Sequence, residues 1–345
     1  MRDFIYSLMT DKKNGFFYDI FKFKLYLVSL IYGFAIAVRR VFYKFGIFKM
    51  RKAPLKVISV GNITLGGTGK TPFVVTLGHI LESELKKNAC VLIRGYGWDE
   101  QAMLKNKLTD IPVLVGEDRA RSALKAVKLY GSNTAILDDG FQHWELGRDL
   151  DIVLVDSRNP FGNLQLFPRG VLREPKKALQ RADIIVFTKT DGKNINLENL
   201  KAEAGNINRT AVFLEAVHKP TYLYENKTRI TRDLSYVKGK RVILFSSIGD
   251  PSHFEETVRA MGAEVVEHIK FTDHHNYKKS DIEHILKRCS ERSFDFVLTT
   301  EKDIVKLNRL GLYIGSYTVM VVVINLEITL GKEILIDRLN RLYTR

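Results

Sequence analysis

The stretch TLGGTGKT, residues 64–71, decides the fold of this chain. The preceding run LKVISV (55–60) is apolar and β-branched, which predicts a buried parallel strand, and PFVVTLGHIL (72–81) predicts a helix with Pro72 in its first turn. A glycine-rich loop between such a strand and helix presents backbone N–H groups to phosphate oxygens, because glycine allows positive φ and a close approach. The stretch therefore predicts a nucleoside triphosphate site.

The side chains that end this loop suit a phosphate ligand. Lys70 is expected to reach the β- and γ-phosphates and Thr71 to place its hydroxyl on Mg²⁺, beside the partial positive charge of the helix start. The Walker A pattern G-x-x-x-x-G-K-[ST] requires glycine where this chain has Thr64, so a glycine-rich turn without a ligand is the alternative. The residues expected to bind nucleotide here are Thr64, Leu65, Gly66, Gly67, Thr68, Gly69, Lys70 and Thr71.

Composition indicates a protein with a large core and reduced cysteines. A chain of 345 residues that is 45% hydrophobic can bury an extensive core and is expected to form two domains. Cys90 and Cys289 lie far apart in sequence and lack metal-ligand spacing, so we expect reduced thiols, as in the cytoplasm.

The net charge of +15 is concentrated at the N-terminus, where residues 1–52 hold eleven Lys and Arg against three Asp and Glu. Within them, LYLVSLIYGFAIAV (25–38) is uncharged; as a helix it spans about 21 Å, less than the ~30 Å hydrocarbon core. We predict an anchor that lies in one leaflet with its cations on anionic headgroups. The alternatives are a helix packed on the domain, a single full span, or a basic nucleic-acid face, for which no recognised motif is present.

After the phosphate loop, short apolar runs alternate with amphipathic stretches. This pattern predicts a mostly parallel sheet covered by helices, with functional residues at the carboxyl ends of the strands. The predicted strands are residues 89–93, 112–115, 134–137, 152–155 and 184–187.

Two of the segments that follow these strands suit phosphate chemistry. Asp138 and Asp139 follow an apolar strand, which is the Walker B arrangement for holding Mg²⁺. The segment LFPRGVLRE (166–174) contains two arginines that could stabilise phosphate charge; a solvated basic loop is the alternative. A third segment, Thr188-Lys189-Thr190-Asp191, resembles the [NT]-K-x-D element with which GTPases read guanine, and it supports a competing GTPase interpretation.

The second half of the chain predicts a smaller α/β unit without a phosphate loop. Two strand-like runs flank Lys219-Pro220 within residues 211–225, which predicts a hairpin linker. Further along, FTDHHNY (271–277) is open to three interpretations: a metal site, a loop that enters a helix, or a catalytic histidine that assists a carboxylate.

Taken in order, the motifs TLGGTGKTP, RGYG, DDGFQH, FPRGVLRE, FTDHH and TTEKDIVK resemble the tetraacyldisaccharide 4′-kinase family of lipid A biosynthesis. The resemblance covers most of the chain, and that family also carries threonine at the position of Thr64. It implies Mg²⁺-dependent transfer of the ATP γ-phosphate to the 4′-hydroxyl of an acylated glucosamine disaccharide 1-phosphate, which gives lipid IVA. It also implies an acceptor at the cytoplasmic face of the inner membrane.

The resemblance also implies roles for individual residues. Lys70 and Thr71 contact phosphate and Mg²⁺, with Asp138 and Asp139 as the Mg²⁺-linked acids; His274 pairs with the catalytic acid. The residues implied to line the nucleotide or acceptor site are Arg94, Gln142, His143, Arg173 and Glu174.

The catalytic acid is where this chain departs from the family pattern Gly-Asp-Glu-Pro, because it has Gly116-Glu117-Asp118-Arg119. An ungapped match places Glu117 at the base position and Asp118 beside it. The shorter aspartate preserves the acid's chemistry if the loop adjusts, so Asp118, acting with His274, is chosen as the base and Glu117 is the alternative.

The predicted architecture is a P-loop-type parallel sheet domain and a smaller α/β domain, joined by a β-hairpin and preceded by a membrane-associating helix. The expected bounds are 1–50 for that helix, 51–210 for the nucleotide domain, 211–235 for the hairpin and 236–345 for the smaller domain. The functional alternatives to a lipid kinase are a membrane-associated GTPase switch or delivery protein and a membrane-tethered ATPase scaffold.

Overall fold

The fold is given by a computed structural model that describes residues 2–95, 98–192, 195–273 and 275–344. The chain forms two compact units. Unit 1 comprises Met1–Tyr96, Leu108–Val217 and Leu326–Arg345, and unit 2 comprises Gly97–Lys107 and His218–Asn325.

Parallel strands and the helices between them build both units, as the alternating pattern predicts. The strands are β1 Lys56–Gly61, β2 Ala89–Ile93, β3 Val113–Val115, β4 Thr134–Asp138, β5 Leu150–Asp156, β6 Ile184–Thr188, β7 Val212–Glu225, β8 Thr231–Arg232, β9 Arg241–Ser246, β10 Glu264–Lys270, β11 Phe296–Thr300 and β12 Val319–Leu330. The helices are α1 Arg2–Met9, α2 Phe16–Lys44, α3 Lys70–His79, α4 Trp98–Lys107, α5 Arg119–Tyr130, α6 Leu197–Ile207, α7 Pro251–Ala260, α8 Lys279–Ser290, α9 Glu301–Arg309 and α10 Lys332–Arg341. A π-helical turn, Ile80–Glu84, extends α3, and two 3₁₀ helices cover Lys176–Arg181 and Leu234–Val237.

Unit 1 is built on parallel strands in the order β7-β6-β5-β1-β4-β2-β3, with β1 at the centre. Consecutive residues of β5 from Ile152 to Val155 are all buried, so this strand is covered on both faces, as a parallel sheet requires. The chain leaves β1 toward β2 but leaves β5 toward β6, in the opposite direction. Ligand sites in such sheets form where the connections diverge in this way. The loop after β1 lies at that point.

In unit 2 the parallel strands follow the order β10-β9-β11-β12. Residues of these strands are shared between two buried clusters, one containing Ile243 and Phe245 and the other Val242 and Leu244, so this sheet also buries both faces. Unit 2 therefore has the α/β character predicted for the second half of the chain.

The hairpin differs from its predicted form. The two strand-like runs around Lys219-Pro220 form one continuous strand, β7, which pairs in the antiparallel direction with β8 at Leu223 and Tyr224. The turn therefore lies at residues 226–230. Pro220 lies between the stretch of β7 that pairs with β6 and the stretch that pairs with β8, so proline does not interrupt either of these two ladders.

Candidate active site

The loop between β1 and α3 has the geometry of an anion site. Gly66 and Gly69 have φ of +113° and +89°, values that strongly favour glycine. Gly69 is the N-cap of α3 and makes no side-chain capping bond. The N–H groups of the first turn therefore stay available for an anion, which the helix dipole also favours.

Hydrogen bonds from three other segments fix the shape of this loop. The buried Asn62 side chain donates to Thr68 Oγ1 (3.0 Å), and Thr188 Oγ1 donates to the Thr68 carbonyl (3.0 Å). The N–H of Leu65 donates to the carbonyl of Val171 (2.6 Å). The loop is thus held in one conformation before any ligand arrives, and the 166–174 segment predicted to be functional is one of its supports.

The acidic pair after β4 lies beside this loop. Asp138 is buried at the end of β4, in register with Val60 of β1. The carboxylate of Asp139 accepts two contacts from Nη1 of Arg173 (2.9 and 2.8 Å) and lies 3.6 Å from Nζ of Lys70. Burial raises the pKa of Asp139, but the positive charges of Lys70 and Arg173 outweigh it and lower that pKa to about 2. Sequence motifs far apart in the chain therefore meet in one charged cluster.

Arg119 is a buried arginine that the sequence interpretation assigned no role. Its guanidinium donates to the carbonyl of Asp138 (2.9 Å) and, over 3.4 Å, to that of Asp139. It therefore holds the backbone of the acidic pair. Arg119 occupies the sequence position where the family pattern has proline. That departure from the pattern was the available signal.

The carboxylate of Glu174 is bound by other side chains of the protein. It accepts two hydrogen bonds from the guanidinium of Arg181 (2.9 and 3.1 Å) and one from Gln142 Nε2 (3.0 Å). Glu174 as a whole is buried. Gln142 also donates to the carbonyl of Asn62 (2.8 Å). These contacts favour a structural role for Glu174 and Gln142, which join two site loops to the residue that begins the phosphate loop.

His143 is neutral at physiological pH. Burial, followed by the nearby positive charge of Arg119 and other arginines, lowers the pKa of its imidazole to about 4. Within the described part of the chain, its buried Nε2 has no hydrogen-bond partner. Arg94 lies exposed after β2, and the last two residues of its motif, Tyr96 and Gly97, lie outside the described residues.

The two candidate bases have different surroundings. Asp118 caps α5 by accepting from the N–H of Arg121 (2.9 Å), and both its oxygens bind the guanidinium of Arg51 (2.9 and 2.8 Å). The hydrogen bond from Arg51 lowers the pKa of Asp118. Glu117 is exposed and has no partner among the described residues. The geometry thus disfavours the choice of Asp118 as the base and leaves Glu117 as the available carboxylate.

In unit 2, the predicted catalytic histidine, His274, lies outside the described residues. Its neighbour His275 stacks on Phe271 (4.9 Å between ring centroids) and bonds to the carboxylate of Asp281 (2.9 Å), which caps α8. These are the contacts of a loop that enters a helix. No group of three or more His, Cys, Asp or Glu that could hold a metal ion occurs in the described ranges.

The segment 188–191, which resembles the guanine-binding element of GTPases, forms contacts within the protein. Thr188 binds the phosphate loop, and Lys189, 4% exposed, forms an ion pair with Asp156 (2.5 Å). A residue committed to a buried ion pair is poorly placed to read a base, so the structure does not favour the GTPase interpretation.

Cys90 and Cys289 are both buried free thiols, as predicted.

Comparison with known proteins agrees with this geometry. The family model described as tetraacyldisaccharide-1-P 4′-kinase matches residues 21–343. A tetraacyldisaccharide 4′-kinase of Syntrophus aciditrophicus is 37% identical over 317 residues, which is 83% of this chain and 84% of that protein. That of Halothermothrix orenii is 34% identical over 343 residues, or 90% and 89%. A crystal structure of LpxK from Aquifex aeolicus in complex with ATP matches with a TM-score of 0.73 and 28% identity, covering 94% of this chain and 99% of that one.

Proposed function

Because this chain belongs to the tetraacyldisaccharide-1-P 4′-kinase family, we propose that the cluster described above binds the donor in its reaction. The chain is an ATP- and Mg²⁺-dependent kinase of lipid A biosynthesis, and its acceptor is the 4′-hydroxyl of an acylated glucosamine disaccharide 1-phosphate. The observation that carries the assignment of residues is the contact of Asp139 with both Lys70 and Arg173 beside the open N-terminus of α3.

Two cations at one carboxylate suggest how the donor phosphates are bound. The N–H groups of the loop and of α3 bind the phosphate chain, and Lys70 and Arg173 exchange part of their contact with Asp139 for phosphate oxygens. Charge on the transferring phosphoryl group is spread over its equatorial oxygens in the transition state. Fixed cations at those oxygens therefore lower the barrier, because they need no reorganisation during the reaction.

The oxygen donors near this cluster suit Mg²⁺. The buried carboxylate of Asp138, the half-exposed carboxylate of Asp139 and the hydroxyl of Thr71 are hard ligands, and Mg²⁺ usually takes one or two carboxylates together with phosphate oxygens and water. Thr71, Asp138 and Asp139 are the residues that would hold the ion. Mg²⁺ bound there supplies positive charge to the β- and γ-phosphates.

For the acceptor half we propose that Glu117 takes the proton of the 4′-hydroxyl. Its carboxylate is exposed and uncommitted in the described part of the chain, whereas both oxygens of Asp118 are bound by Arg51. The assignment of His274 as the partner of this base rests on the sequence motif. We also retain, as proposals, a nucleotide domain over 51–210, a smaller domain over 236–345 and a hairpin over 211–235. The compact units differ from these bounds, because Gly97–Lys107 belongs to unit 2 and Leu326–Arg345 to unit 1.

Phosphate transfer to the lipid tests the proposal directly. Incubation with ³²P-labelled ATP, Mg²⁺ and an acylated disaccharide 1-phosphate should give a labelled lipid, and an excess of unlabelled ATP should reduce the label far more than an equal excess of GTP. Mild acid hydrolysis cleaves an anomeric 1-phosphate but not a phosphomonoester of an ordinary hydroxyl, so the label should stay on the lipid if it is at the 4′ position. Nucleotide hydrolysis without lipid labelling would contradict the proposal and favour an ATPase scaffold.

For the membrane contact, we propose that α2 lies on the leaflet with one apolar stripe against it. Its members recur every three or four residues along the helix, apart from the adjacent pair Leu30 and Ile31, and each is at least 44% exposed. We define the apolar stripe as Phe16, Ile20, Phe23, Leu27, Leu30, Ile31 and Phe34. Exposed cations flank it and suit anionic headgroups: Lys12, Lys13, Lys24, Arg39, Arg40 and Lys44.

The opposite side of α2 is docked on protein. In the described residues α2 is the one helix long and apolar enough to cross a membrane. However, Tyr32, near its middle, donates to the carbonyl of Arg173 (3.0 Å), and a Cβ on Gly33 would lie 2.9 Å from Leu166 Cδ1. We call Lys70, Asp139 and Arg173 the donor cluster. A transmembrane position would place the contact of Tyr32 with Arg173, and with it the donor cluster, in hydrocarbon. The contacts therefore support a helix that lies along a membrane surface, and we propose that this surface is the cytoplasmic face of the inner membrane.

Loss of two stripe residues should weaken membrane binding. Burial of a large apolar side chain stabilises by about 1.5–3 kcal/mol, so Ile31→Ser with Phe34→Ser should reduce sedimentation with vesicles containing anionic lipid by at least about tenfold. Leu124→Ser with Leu129→Ser, which removes exposed leucines from α5, is the matched control and should bind as the parent does. Equal binding of both double variants would contradict the stripe.

A further inference from the structure

The loop that carries Arg173 is clamped on two sides within unit 1. We call residues 163–174 the arginine loop. On one side it meets the N-terminal helices: Asn163 Nδ2 donates to the carboxylate of Asp11 (2.8 Å), and Arg169 forms an ion pair with the same carboxylate (2.9 Å). Lys22 of α2, which is largely buried, pairs with Asp11 as well (3.0 Å). The turn between α1 and α2 is thereby fixed to the arginine loop.

On its other side the arginine loop is joined to the phosphate loop. The N–H of Arg173 donates to the carbonyl of Ile63 (2.7 Å), and Thr64 and Leu172 form an isolated antiparallel bridge. The guanidinium of Arg173 then reaches Asp139. The position of the Arg173 backbone therefore determines where its guanidinium lies relative to the donor phosphates.

Tyr32 binds this same backbone from the membrane-facing helix. Its hydroxyl donates to the carbonyl of Arg173 (3.0 Å), and its ring meets Phe167 of the arginine loop edge to face (5.7 Å between centroids). Two peptide groups flank the Cα of Arg173, and both are now hydrogen-bonded, one to Ile63 and one to Tyr32. With both flanking peptides fixed, the Cα–Cβ bond of Arg173 has a fixed direction, from which its guanidinium reaches Asp139.

We infer that Tyr32 is a positioning residue for phosphoryl transfer: its hydroxyl holds the backbone of Arg173 so that the guanidinium stays at the donor cluster. This inference rests on the role proposed above for Arg173. In this proposal α2 has a second function: the same helix that contacts the leaflet also positions, through Tyr32, a cation of the active site.

The test is a double-mutant cycle between Tyr32→Phe and Arg173→Ala. Loss of one neutral hydrogen bond should lower kcat by about two- to tenfold and leave the KM for ATP nearly unchanged, because the phosphate loop itself is intact. In the Arg173→Ala background, Tyr32→Phe should have no further effect on kcat. Tyr26→Phe is the matched control, since Tyr26 is an exposed tyrosine on the same helix, and it should behave as the parent.

Each outcome has a defined meaning. Vesicle binding and the unfolding temperature of Tyr32→Phe should equal those of the parent, which separates positioning from anchoring and folding. An unchanged kcat in Tyr32→Phe, or losses that multiply in the double variant, would overturn the inference while a large effect of Arg173→Ala upheld the role of the arginine. Near-normal activity of Arg173→Ala would instead overturn the proposed role of Arg173, and the inference with it.

Discussion

Replacement of Lys70 by alanine should lower kcat by about a thousandfold or more. Lys70 is the cation that the phosphate loop itself carries, and its ammonium group lies 3.6 Å from the carboxylate of Asp139, at the edge of the donor cluster. Removal of one preorganised charge from a phosphoryl-transfer site costs on the order of 10³-fold or more in rate. Single-turnover transfer of ³²P from ATP to the acylated disaccharide measures this loss independently of product release.

Two comparisons make this result specific. Lys128→Ala removes an exposed lysine from α5 and should leave the rate unchanged, which controls for the loss of one positive charge. Lys70→Arg restores the charge but not the compact ammonium group, and it should recover only part of the activity. Lipid labelling by Lys70→Ala within tenfold of the parent would contradict the assignment of the donor cluster.

Glu117→Gln should lower kcat by about 10²- to 10⁴-fold, which is the range for the loss of a general base. The amide keeps the size and shape of the side chain but cannot accept the proton of the 4′-hydroxyl. Glu117 has no partner in the part of the chain that the structure describes, so the change should leave the unfolding temperature as it is. ATP binding, measured by equilibrium titration, should also be retained.

The neighbouring acid provides the contrast. Asp118→Asn keeps a good N-cap for α5 and weakens the ion pair with Arg51, which is half exposed and contributes about 1 kcal/mol or less. It should therefore change kcat by less than about threefold. If Asp118→Asn loses activity while Glu117→Gln retains it, the base is Asp118 and the loop rearranges when substrate binds.

The donor half of the site was predictable because its signals are local. Lys70 belongs to one short motif, Asp138 and Asp139 follow one apolar strand, and adjacent parallel strands place their ends along one edge. The alternation of apolar and amphipathic segments likewise predicted β1 to β6. It failed at Lys219-Pro220, where a proline between two strand-like runs suggested a turn but lies within one long strand.

What sequence reasoning could not supply was the partner of each side chain. Arg51 and Asp118 are 67 positions apart and Tyr32 and Arg173 are 141 apart, so no periodicity or motif links them. Asp118 directly precedes α5 and is its N-cap, a common position for aspartate and a signal that its choice as the base did not take into account. Glu174 had no such signal, and its burial against Arg181 emerges only in three dimensions.

The membrane contact proposed for the apolar stripe on α2 has a kinetic consequence. An enzyme that stays on the leaflet meets its acceptor by diffusion in two dimensions, so acceptor supply is set by the mole fraction of the acceptor lipid in the membrane and not by its bulk concentration. Addition of inert phospholipid should then slow transfer even when the total amounts of enzyme and acceptor are constant. The donor nucleotide, in contrast, arrives from bulk solution. The rate should therefore depend on the surface concentration of the acceptor lipid but on the bulk concentration of the nucleotide.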